Sequence, residues 1–106
     1  MGFTVKKEIF EKYIAFTLCG SLDSSTAPQF NEEVRQVILQ NPQTLVLYVD
    51  ELNFMSSAGL RVLIFAKQKL GTAASLILVR PQEQLLETLR MTGLIFSVSI
   101  VDQYPE

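Results

Sequence analysis

From Thr44 to Val49 the chain reads TLVLYV, a run of β-branched, apolar and aromatic residues with no polar alternation, bounded by Pro42 and Asp50. A strand whose two faces differ in exposure alternates apolar with polar; an unbroken run is the pattern of a strand covered on both faces, which occurs mainly inside parallel sheets. Parallel neighbours need crossover connections, usually helices, so this run directs the chain toward an α/β architecture with residues 44–49 as its central strand.

The flanking sequence supplies the other parts. Residues 3–8 and 13–19 are rich in β-branched and aromatic side chains, with Ile14, Phe16 and Leu18 alternating, and read as two neighbouring strands ended by Gly20. Thr26 followed by Gln29 fits a capping box for a helix starting near Ala27, with Pro28 in its first turn. Phe30, Val34, Val37 and Ile38 form the apolar stripe of that helix, Glu32, Glu33 and Arg35 lie off it, and Asn41-Pro42 ends it. A second helix is expected over residues 57–70, closed by Gly71, and a strand over 74–79. Pro81 opens a third helix with Leu85, Leu86 and Leu89 inward; Thr92-Gly93 closes it as a left-handed glycine cap, and FSVSIV forms the last strand. The order is β-β-α-β-α-β-α-β, a mixed, mostly parallel sheet with helices, in one domain over 1–106.

Composition narrows the function. The chain has 106 residues, 48% of them hydrophobic, which is enough for one core. A net charge of −2 leaves no basic field for a nucleic acid, and no stretch reaches the apolar length of a signal peptide or a membrane span, so neither nucleic-acid binding nor membrane insertion is expected. A single cysteine, Cys19, read as a small buried hydrophobe, fits a reducing, cytoplasmic setting. The absence of histidine removes imidazole triads and most zinc chemistry. No phosphate-cradling loop is present, no cofactor is expected, and a monomer is the default for so small a domain.

One motif exceeds structural need. In NFMSSAGLRVLIF one serine suffices as N-cap; if Ser56 caps, Ser57 is the first helical residue, with Gly59 keeping bulk away from its hydroxyl. That helix mouth lies beyond the carboxyl end of the central strand, where α/β sheets carry their sites, and the helix dipole tolerates negative charge there. Asp23 serves equally as a turn residue or a partner contact, and Met55, Phe54 and Leu60 as core or as a docking patch. Arg61, four residues after Ser57, either belongs to a solvated face with Lys67 and Lys69 or pairs with a phosphate.

GSLDSSTAPQF followed downstream by LVLYVDELNFMSSAGLRVLI resembles the anti-sigma factor antagonist family of STAS domains, over essentially the whole chain. The resemblance implies a small cytoplasmic, non-enzymatic protein that binds an anti-sigma factor serine kinase and so releases a sigma factor for transcription. It places the phosphoacceptor, modified by that kinase and restored by a PP2C-type phosphatase, on Ser57, and partner contacts on Asp23, Ser24, Ser56, Ser57, Ala58, Gly59 and Arg61. Ser56 stands where many members have Asp, Ala58 where many have Ser, and Tyr48 where many have a strand aspartate, with Asp50 two residues further on. An alternative within the same fold is an unphosphorylated accessory subunit of a lipid-transport ATPase or a stress-signalling complex. A small enzyme using Ser57 with Asp23 or Asp50 is a third reading, weakened by the missing histidine and by the distance along the helix from Ser57 to Lys67.

Overall fold

Strand order in space follows strand order in the chain. The computed structural model describes residues 2–105; the ends of the expected domain, Met1 and Glu106, lie outside the described residues. Its elements are β1 (Phe3–Ile9), β2 (Ile14–Leu22), α1 (Ala27–Ile38), β3 (Thr44–Met55), α2 (Ser57–Leu70), β4 (Ser75–Val79), α3 (Glu83–Thr92), a 3-10 turn (Leu94–Ser97) and β5 (Ser99–Val101). The sheet runs β1-β2-β3-β4-β5, antiparallel between β1 and β2 and parallel elsewhere. Among the described residues no helix is long and apolar enough to cross a membrane.

This topology decides where the helices go. Each β-α-β crossover steps one strand in the same direction, and right-handed crossovers that never reverse direction put every helix on one face. Phe16, Leu18, Leu45, Leu47, Leu76 and Leu78 accordingly pack on that face against Phe30 and Val34 of α1, Leu63 and Ala66 of α2, and Leu85 and Leu89 of α3. Phe16 and Phe30 meet edge to face at 5.6 Å. The other face carries a smaller cluster of Ala15, Val46, Ile77 and Val79, with Tyr13, Tyr48, Val101 and Tyr104 against it. The central strand is therefore covered on both faces as its composition requires, but by helices on one side and by aromatic side chains on the other.

Several boundaries differ from the sequence reading. Gly20 does not end β2; it adopts φ +94° beside a register shift, and the strand continues to Leu22. β3 likewise passes Val49 and reaches Met55, paired with the prolonged β2. The third helix starts at Glu83 rather than beside Pro81, and only Ser99–Val101 of FSVSIV is strand, because Phe96 and Ser97 belong to the 3-10 turn; the strand pairs with Ile77–Val79 of β4. The predicted closures hold at α2, which ends at Leu70 before Gly71, and at α3, where Gly93 takes the left-handed conformation. Cys19 is half-buried rather than buried, its Sγ 3.6 Å from Glu51 Oε1.

Candidate functional site

The start of α2 sits where the two longest parallel strands end together. Ser56 has extended backbone angles, and its Oγ accepts a hydrogen bond from the Gly59 amide at 3.4 Å. Its own amide donates to the Leu22 carbonyl at 2.9 Å, tying the cap to the last residue of β2. Ser56 thus discharges the capping role, and Ser57 is the first helical residue, as the motif predicts. Ser57 is exposed, and within the described residues no hydrogen bond holds its hydroxyl.

Gly59 has a different reason from the expected one. A Cβ built there would lie 2.8 Å from Leu22 Cγ and 3.0 Å from the Leu22 carbonyl oxygen. The missing side chain lets α2 press against the end of β2, which fixes the direction in which Ser57 projects. Leu60 and Met55 are buried, whereas Phe54 is 45% exposed, so of the three apolar residues around the helix mouth Phe54 alone contributes a large surface.

The loop that follows Leu22 is organised by Asp23. Its Oδ1 accepts from the amides of Ser25 (2.9 Å) and Thr26 (3.2 Å) and from the Ser25 hydroxyl (2.7 Å). The Ser25 hydroxyl, then the Ser25 and Thr26 amides, hold the Asp23 carboxyl below its ordinary value of 3.8. Asp23 therefore has the turn role in full. The expected Thr26–Gln29 capping box does not form; the Thr26 hydroxyl instead donates to the Ser21 carbonyl and accepts from the Asp23 amide, both at 2.9 Å. Thr26 serves the loop before the helix, and α1 begins without a side-chain cap.

Two glutamines that the sequence reading did not single out complete the site. β4 pairs with β3 only as far as Tyr48, which leaves the later part of β3 without a strand neighbour on that side. There the Gln82 amide donates to the Asp50 carbonyl at 2.9 Å, while Gln84 accepts from the Met55 amide at 3.3 Å and donates to the Met55 carbonyl at 3.4 Å. α3 thereby holds the residue directly preceding the Ser56 cap. Asp50 itself meets Arg80 at 3.6 Å on the surface. Glutamines early in a helix carry no sequence signal for this role.

Ser24, Ala58 and Arg61 line one groove, with Ala27, Pro28, Asn31, Val62 and Phe65, between α1 and α2. The Leu22–Ser56 and Leu22–Gly59 contacts bring the Asp23 loop alongside Ser57. Of the residues expected at the site, then, Ser24, Ala58 and Arg61 share the groove, Ser56 and Gly59 form the helix entry, Ser57 stands open at its mouth, and Asp23 braces the adjoining loop. Buried side chains among the described residues are all apolar, so the chemistry on offer lies at the surface: an exposed hydroxyl at the positive end of a helix dipole.

Comparison with known proteins gives concordant results. The profile described as the STAS domain matches residues 4–106. The anti-sigma-F factor antagonist RsfB of Mycobacterium tuberculosis is 33% identical over 52 residues, 49% of this chain and 43% of RsfB, so the match spans less than half of that relative. Among solved structures, an anti-sigma factor antagonist from Mycobacterium paratuberculosis superposes with a TM-score of 0.88 at 22% identity, covering 97% of this chain and 88% of that one. SpoIIAA in its unphosphorylated form gives 0.76 at 20% identity over 96% and 89% of the two chains. Phosphorylated SpoIIAA of Bacillus gives 0.73 at 21% over 93% and 90%.

Proposed function

The chain belongs to the STAS domain family, and we propose that within it the protein serves as an anti-sigma factor antagonist whose grip on an anti-sigma factor kinase is set by phosphate on Ser57. Binding of the unmodified form would withdraw the kinase from a sigma factor in the cytoplasm; phosphorylation by the same kinase would end the binding, and a PP2C-type phosphatase would restore it. The observation that carries the reading is the division of labour at the helix entry: Ser56 supplies the cap, which leaves the exposed Ser57 without a structural duty.

The mechanism follows from placement. The groove residues Ser24, Ala58 and Arg61, together with Asp23 and the Ser56–Gly59 entry, form the contact surface, and Ser57 stands within it. A phosphate there carries up to about two negative charges, and covering them by a partner adds repulsion and desolvation. A loss of about 4 kcal/mol weakens binding about a thousandfold. The protein itself is the substrate of an enzyme, not the enzyme.

Intact-mass and peptide mass spectrometry of the protein recovered from its native host, in growing and in stressed cells, tests this. A single phosphate on Ser57 that varies with condition and vanishes in Ser57→Ala is expected. If Ser57 is unmodified in every condition and Ser57→Asp binds the captured partner as well as wild type, the protein is a constitutive docking subunit instead.

A further inference from the structure

The sheet has one long unpaired edge. β1 pairs with β2 alone, and its outer edge presents backbone amides and carbonyls to solvent. Residues 6–9 on it are exposed, Ile9 at 59%, and Phe10 just past its end is 42% exposed. Lysines on an edge ordinarily discourage pairing with another chain. Here Lys6 and Lys7 are followed by Glu8, so the charges can be answered by a second copy of the same strand.

Register decides whether they are. Two β1 strands related by a two-fold axis perpendicular to the sheet run antiparallel and pair residues of the same face, so the axis must pass through a residue. Val5, Lys7 and Ile9 share the helix-bearing face, since their β2 partners Leu18, Phe16 and Ile14 lie in the main core; Lys6 and Glu8 share the other. An axis through Lys6 sets Lys6 against Lys6 and Val5 against Lys7. An axis through Glu8 sets Glu8 against Glu8 and Lys7 against Ile9. Only an axis through Lys7 leaves no unanswered like charge, over residues 5–9: Lys6 opposes Glu8 twice and Val5 opposes Ile9 twice. The two Lys7 side chains meet at the axis, where each already has Glu33 of α1 at 3.6 Å, so their charges are balanced within the pair.

We propose that β1 is a docking edge for a second copy of this chain, paired antiparallel about Lys7 into a continuous sheet of both molecules. The assembly replaces the monomer expected by default, is weak and concentration-dependent as a single strand pair implies, and leaves both Ser57 sites uncovered, because β1 is the edge strand while α2 crosses from β3 to β4 further into the sheet.

Sedimentation equilibrium of the full chain tests it with Lys6→Glu and Glu8→Lys, both at exposed positions where folding is checked by circular dichroism. Wild type is expected to self-associate, and each variant alone to lose about tenfold or more in association because both cross-strand pairs become like-charged. Mixed in equal amounts, the two variants are expected to associate with each other, since both contacts between positions 6 and 8 across the axis then join opposite charges. A wild type that stays monomeric up to its solubility limit, or a mixture that associates no better than the separate variants, overturns the proposal.

Discussion

Neighbouring residues at the α2 entry have separable duties, so their substitutions should fail in different ways. Gly59→Ala drives a methyl into Leu22 and should cost about 1–3 kcal/mol, read as a lower urea midpoint. Ser56→Ala should cost about 1 kcal/mol by removing the cap, while leaving the Ser57 hydroxyl in place. Ser57→Ala should change stability by no more than about 0.5 kcal/mol, because its side chain is exposed and holds nothing. Asp23 adds a pH signature. Its carboxyl titrates lower in the folded protein than in the unfolded chain, so the stability it contributes is present above 3.8 and is lost as pH falls through the folded value. Carboxyl NMR should place its midpoint below 3.8, and Asp23→Asn should remove that part of the acid dependence.

At the scale of elements, the glutamine clasp is the part most open to a direct test. Gln84→Ala would leave the Met55 amide and carbonyl without partners; the expected cost is about 1–2 kcal/mol, with faster hydrogen exchange at the Met55 amide ahead of the rest of β3. The same clasp explains what could be read from the chain and what could not. α2 was legible at both ends, because a serine cap and a closing glycine act locally. β3 was legible to Val49 through its apolar run, but DELNFM looks like a loop until β2 and two glutamines at the start of a distant helix, Gln82 just before it and Gln84 in its first turn, supply its backbone partners. Gly20 misled for a related reason: glycine breaks a strand or allows a bulge inside one, and only the neighbouring strand decides. The cap at Ser56 and the spare hydroxyl at Ser57 were legible because one cap is enough; the true constraint on Gly59 was not, since it comes from Leu22, far away in sequence.

For the whole molecule, stability and recognition should come apart at the proposed switch. A negative charge at residue 57 lies at the favourable end of the α2 dipole, so Ser57→Asp should alter unfolding free energy by less than about 1 kcal/mol, while affinity for the kinase falls by orders of magnitude. Thermal unfolding beside titration calorimetry with the captured partner separates the two effects. The one-directional strand order has its own outcome, in time rather than in space. Each strand pairs with the one just made, so the sheet can lengthen at a single growing edge as the polypeptide leaves the ribosome, with β2, β3 and their helix assembled before β5 has been synthesised. Such closures span only one crossover at a time, which favours quick folding for a parallel sheet and leaves little interval in which its apolar strands stand exposed to other chains.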